Sequence, residues 1–149
     1  MTVSFTVHGV PAPAGSKRGF YRAGRVIITD DAKRSRPWKA QVADAAAEAM
    51  TFHDPDGTSG YRPPLEGPLH LLLIFWMPRP TGHYGARGVR PSAPPYPAVR
   101  PDVTKLVRAV EDALTGIVWR DDAQVVHQEA SKRYGVPPRV EIRVSELAP

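Results

Sequence analysis

The stretch LHLLLIFWM, residues 69–77, is almost unbroken in its apolar character. It is far too short to cross a bilayer, which takes about 20 apolar residues in a helix. Its length suits a central strand covered on both faces. The neighbouring segments must then supply the rest of the sheet and its cover. SFTVHGV near the N-terminus alternates polar with apolar residues and reads as an edge or half-buried strand. PAPAGSKRGFYRAG, broken by Pro and Gly, is expected to lack regular structure, and RVIIT to follow it as a second strand closing a hairpin. PWKAQVADAAAEAM is Ala-rich, with Pro37 suited to a first helical turn, which predicts a helix from about Pro37 to Met50. FHDPDGTSGYRPPLEG is expected to be a loop.

In DVTKLVRAVEDALTG, the residues Leu106, Val107, Val110, Ala113, Leu114 and Ile117 recur at helical spacing, and Gly116 supplies a stop. The exposed face then carries Lys105, Arg108, Glu111 and Asp112. IVW reads as a short strand running into Asp121 and Asp122, AQVVHQEASKRYG as an extended continuation, and RVEIRVSEL as an alternating final strand. The order β-β-α-β-loop-α-β-β predicts an α+β domain with a mixed or antiparallel sheet and two main helices.

With 149 residues the chain has room for one domain, 1–149, with a real core. Residues 78–101 are a Pro/Gly/Arg-rich segment without period, and loops of that length are usually functional or disordered. Its Arg79, Arg87, Arg90 and Arg100, with Tyr84 and Tyr96, suit contacts to phosphates and unstacked bases; a solvated connector is the plainer alternative. Twenty Lys and Arg against 15 Asp and Glu give a formal charge of +5, which favours a polyanionic partner through counterion release. The absence of cysteine excludes disulfides, thiolate nucleophiles and Cys-based zinc sites. The N-terminus lacks a secretory signal, so the expectation is a soluble, cytoplasmic protein with no membrane association.

Familiar catalytic patterns are missing. GVPAPAGSKR has the wrong spacing for a phosphate-binding loop, and its prolines remove backbone donors. No GxSxG elbow occurs, and the five histidines show no close metal spacing, so each reads as an ordinary surface or strand residue. What remains is carboxylate chemistry: Asp102 at the start of the second helix, and Asp121 and Asp122 beyond the following strand. If the chain returns alongside the helix, these groups converge at one end of the domain, where two or three carboxylates suffice for Mg²⁺. Such an ion activates water and stabilises charge on a scissile phosphate. The plainer readings are an N-cap for Asp102, a solvated turn for Asp121 and Asp122, and a cap before the first helix for Asp30 and Asp31.

RPDVTKLVRAVEDALTG, WRDDAQV and SKRYG together resemble the RusA family of Holliday junction resolvases, and the likeness extends to PAPAGSKRGF and to the first and last strands. The resemblance implies a RusA-like fold and a Mg²⁺-dependent endonuclease, with Mn²⁺ as a second possible ion, acting as a homodimer on four-way or related branched DNA. It implies Asp102 and Asp122 as essential acids with Asp121 beside them, and Arg108 where the family has a catalytic lysine. Thr104 stands where the family pattern has a second aspartate, and Lys105 where it has asparagine. Glu111 lies roughly 10 Å further along the helix axis from Thr104, too far to replace that aspartate directly. The expected metal site is therefore Asp102, Asp121 and Asp122. Lys17, Arg18, Arg100, Lys105, Arg108 and Lys132 are the expected DNA contacts. The alternative is a branched-DNA-binding protein of the same fold with impaired catalysis, Thr104 marking the loss. A basic enzyme acting on a small phosphorylated substrate is the third reading.

Overall fold

Residues 69–77 do form the central strand that their apolar character requires. The computed structural model describes residues 1–15, 17–30 and 33–149, at 17–21 and 27–30 as backbone only. In chain order the elements are β1 (Thr2–His8), β2 (Lys17–Arg22), β3 (Arg25–Asp30), α1 (Ser35–Ala49), β4 (Thr51–His53), β5 (Ser59–Tyr61), β6 (Leu69–Met77), β7 (Tyr84–Gly85), β8 (Gly88–Val89), α2 (Val103–Leu114), β9 (Val125–Tyr134) and β10 (Arg139–Glu146). The main sheet has the order β1-β10-β6-β9, antiparallel at its first two pairings and parallel at β6–β9. It is a mixed sheet in an α+β fold, as the sequence order implies.

Leu69, Leu71, Leu73, Phe75 and Met77 point to one face and are buried, while His70, Leu72, Ile74 and Trp76 alternate with them and are half-buried. The buried face shares one core with Trp38, Val42, Ala46 and Met50 at α1, and with Leu106, Val107, Val110 and Leu114 of α2. Lys39 and Asp112 join the two helices at the surface, 3.1 Å apart. No helix among the described residues is long and apolar enough to cross a membrane.

Several local expectations need correction. The hairpin closed by residues 25–30 pairs with β2, inside the segment expected to be irregular, whereas β1 pairs with β10. Its two-residue turn, Ala23 (φ 52°) and Gly24 (φ 77°), has the double positive φ that matches the twist of a tight hairpin. α1 starts two residues before Pro37, because a proline in the first turn gives up an N–H that has no helical partner there. Arg34 is its N-cap, without a side-chain bond; Asp31 lies outside the described residues and so does the side chain of Asp30. The expected loop at 52–67 holds all but Thr51 of the short hairpin β4–β5.

IVW is not a strand. Gly116 (φ 89°) reverses the chain, and the N–H groups of Ile117 and Val118 both bond to the Leu114 carbonyl, at 3.1 and 2.9 Å. The run is apolar because Val118 and Trp119 wrap into the core, and Trp119 makes only isolated bridges, to Leu65 and Thr115.

The long 78–101 segment is folded on itself. Arg79 lies over the Tyr134 ring at 4.3 Å and donates to the Pro94 carbonyl at 2.8 Å; Arg90 donates to the Tyr84 carbonyl at 3.1 Å. These two arginines hold the loop, Arg79 half-buried and Arg90 exposed, as are Arg87 and Arg100.

Behind it, Trp76 is flanked by the guanidinium groups of Arg139 and Arg133, and a Cβ on Gly135 would stand 2.5 Å from its ring. Gly135→Ala therefore forces the indole or the β9–β10 turn to move. We expect a loss of about 1–3 kcal/mol in chemical denaturation.

Candidate active site

α2 owes its start to Asp102. The backbone there is extended (φ −74°, ψ 153°), and its Oδ2 accepts from the Lys105 N–H at 3.0 Å, satisfying one of the orphan donors of the first turn. The lead-in to this cap is held from β9: Lys132 Nζ donates to the carbonyls of Val99 (2.8 Å) and Pro101 (2.9 Å), on either side of Arg100. Asp102 thereby lines a cleft of about 920 Å³ together with Arg34, Arg100, Lys105 and Lys132. Among the described residues lining it, a single carboxylate among four cations makes this end of α2 electropositive and suited to a phosphate backbone.

The other end of α2 is built differently. Thr115 Oγ1 donates to the Glu111 carbonyl (2.9 Å) and accepts from Trp119 Nε1 (3.0 Å), fastening the reversed chain to the helix. Next comes the turn Asp121–Gln124, in which Asp121 Oδ1 accepts from the Ala123 N–H at 2.9 Å. Gln124 accepts from the N–H groups of Arg120 and Asp121 through Oε1, and donates through Nε2 to the carbonyls of Leu65 and Gly67. The side chain of Asp121 is thus committed to its own turn, which Gln124 staples to the entry of β6. Asp122 is exposed; its carbonyl accepts from the Val125 N–H, and its side chain takes no part in the network.

The charge of Asp122 acts on Glu111. Burial holds the Glu111 carboxyl above its ordinary range, the charges of Asp122 and then Asp112 add to this, and Arg108 opposes it. α2 and its cap thus carry Asp102, Lys105, Arg108 and Glu111 at intervals of three residues, Asp102 and Arg108 exposed and Lys105 and Glu111 half-buried, with the charge of Asp122 acting on Glu111. Asp102 and Glu111 stand about 14 Å apart along the axis.

Because the folded state disfavours the charged form of Glu111, its contribution to stability is complete below the unfolded-state value. That contribution is lost as pH rises through the raised native value. Glu111→Gln should therefore melt higher than the parent at neutral pH, with the difference closing in acid. Thermal unfolding across a pH series checks this.

Among the described residues, one group of three His, Asp or Glu side chains has its ligand atoms within 4.8 Å of one another, and it is His70, His127 and Glu129. Asp102, Asp121 and Asp122 do not form such a group: Asp102 caps the helix, Asp121 is bonded within its turn, and the charge of Asp122 acts on Glu111. Thr104 is exposed in the first turn. Of the expected DNA contacts, Arg100 and Lys105 line the basic cleft, Arg108 is exposed between the two ends, and Lys132 is half-buried as the clamp on residues 99–101. The side chains of Lys17 and Arg18 lie outside the described residues. Sequence reasoning missed Glu111 as the neighbour of Asp122, and no local signal reveals it, since it depends on where residues 115–124 fold back. The sequence does carry Gln124 in its DDAQ string, but nothing in the string shows that its amide reaches residues 65–67.

Residues 9–145 match the family described as endodeoxyribonuclease RusA. The chain is also 32% identical over 149 residues to the uncharacterized protein YqaN of Bacillus subtilis (strain 168), spanning 98% of this chain and 97% of that protein. Both ends of α2, the Asp121–Asp122 turn and three of the four strands of the main sheet (β6, β9 and nearly all of β10) fall inside the matched range, with β1 just ahead of it, so the chain is a member of the RusA endodeoxyribonuclease family.

Proposed function

We propose that the protein is a divalent-metal-dependent endonuclease that cuts four-way or related branched DNA as a homodimer. What supports this reading is Glu111 on α2, one turn after Arg108, whose carboxyl is raised by burial and then by the charge of Asp122. A partly buried carboxylate under the charge of a second acid is a poor structural device and suits a cation site. Mg²⁺ and Mn²⁺ favour oxygen ligands, and Mg²⁺ needs only one or two carboxylates because it keeps several waters. Asp122 and Glu111 would hold the ion, which supplies Lewis acidity toward a phosphodiester.

The chain's own residues do the rest. Arg108, one turn before Glu111, meets the phosphate undergoing attack and offsets the negative charge that develops on it. Asp121 is a positioning residue that fixes the turn presenting Asp122. Arg34, Arg100 and Lys105 bind the strand's backbone where it enters the cleft containing Asp102. Asp102 keeps this entry from being uniformly positive and anchors the helix on which Arg108 and Glu111 sit. Tyr84 and Tyr96, both exposed, offer faces to bases unstacked at a branch point. A four-way junction has approximate two-fold symmetry, and a C2 dimer presents two equivalent sites to it.

Thr104, in the place of the family's second aspartate, favours a second reading: a branched-DNA-binding protein without cleavage. Incubating labelled four-way junction and linear duplex with the protein in Mg²⁺ or Mn²⁺ decides between them. Junction-selective, metal-dependent nicking supports the nuclease; tight junction binding without nicking in either metal supports the binder.

A further inference from the structure

We propose that His70, His127 and Glu129 form a binding site for a borderline transition-metal cation of the Zn²⁺ class, on the half-buried face of the sheet. β6 and β9 run parallel, and their register places His70 directly opposite His127. This follows from an irregularity. Leu69 is opposite Val125, and Val126 is then inserted as an extra residue before His70 meets His127. In an unbroken ladder Val126 would stand opposite His70. Bulges of this kind redirect side chains. Glu129, two residues beyond His127, shares its face.

The three side chains are already close. His70 Nε2 and Glu129 Oε2 are 2.8 Å apart, the two imidazole rings have centroids 4.4 Å apart, and all three ligand atoms lie within 4.8 Å of one another. Tetrahedral zinc with bonds near 2.0–2.1 Å needs ligand atoms about 3.3 Å apart, so small side-chain rotations complete the set. Imidazole nitrogen with one carboxylate selects Zn²⁺ and its neighbours over Mg²⁺, which favours all-oxygen sites. Three protein ligands leave a fourth position open, and the exposure of His127 and Glu129 gives an ion an entry path. The site shares no residue with the Glu111–Asp122 pair.

The test is calorimetric titration of ZnCl₂ into the metal-free full-length protein in 10 mM Mg²⁺, repeated with His70→Ala, His127→Ala and Asp122→Asn. Absorption spectra with Co²⁺ in place of zinc report its coordination. The expected result is one Zn²⁺ per chain that Mg²⁺ does not displace, weakened at least tenfold by either histidine substitution and unchanged by Asp122→Asn. The Co²⁺ form should show visible bands of tetrahedral intensity that either histidine substitution removes. No binding at millimolar Zn²⁺, binding indifferent to both histidine substitutions, or binding lost with Asp122→Asn would overturn the assignment. Because cleavage is not the readout, failure here is separable from failure of the nuclease reading.

Discussion

Asp122→Asn is expected to bind four-way DNA as the parent does and to cut it about a thousandfold more slowly. The size follows from the role proposed: charge stabilisation by an active-site ion contributes several kcal/mol to the transition state, and each 1.36 kcal/mol is a factor of ten in rate. The selectivity follows from position. The Asp122 side chain is exposed and lies outside the hydrogen bonds that hold its turn, so exchanging a carboxylate oxygen for an amide leaves the fold intact. Relief of the repulsion on Glu111 slightly favours the folded variant. An unchanged melting temperature with lost cleavage therefore assigns the loss to chemistry. Asp102→Asn is the companion experiment, because asparagine caps a helix as well as aspartate does. Lost cleavage at unchanged stability there reports a need for charge at the helix start; retained cleavage confines the essential acids to the far end. Parental cleavage by Asp122→Asn would remove the proposed centre.

How much of this was legible beforehand depends on whether the signal is local. The central strand at 69–77 and the final strand at 139–146 could be read because their side-chain pattern reports burial directly. α2 could be read from its 3.6-residue spacing, and Asp102 as its cap from the residue type preferred there. IVW misled because β-branched and aromatic residues announce burial, and burial by wrapping around a helix end has the same composition as burial in a ladder. The same reversal at Gly116, and not a returning strand, carries the chain to Asp121 and Asp122, and the charge of Asp122 acts on Glu111. The histidines show the same limit. His70 and His127 are 57 positions apart in a chain of 149 and become neighbours only through the parallel register and the inserted Val126. Residue types set the family resemblance; the partnerships within the site are products of tertiary structure.

Trp119→Ala is expected to be the most damaging single substitution for stability, lowering it by about 3–5 kcal/mol, the usual range for deleting a buried aromatic side chain. Trp119 has no exposed surface and is the largest of the fully buried side chains. It also donates through Nε1 to Thr115 Oγ1, and its carbonyl accepts from the Gly116 N–H at 2.7 Å, so it joins the end of α2 to the turn that presents Asp122. Domains of this size gain or lose about 2–4 °C for each kcal/mol, so the melting temperature should fall by roughly 10 °C or more. Trp119→Phe separates packing from anchoring. It retains most of the apolar volume but lacks the Nε1 donor, and Thr115 keeps its own bond to the Glu111 carbonyl. A much smaller loss of stability with a clear loss of cleavage would show that the indole N–H sets the position of the Asp122 turn. If both properties fall in proportion, Trp119 serves the core alone and the turn is held by Gln124.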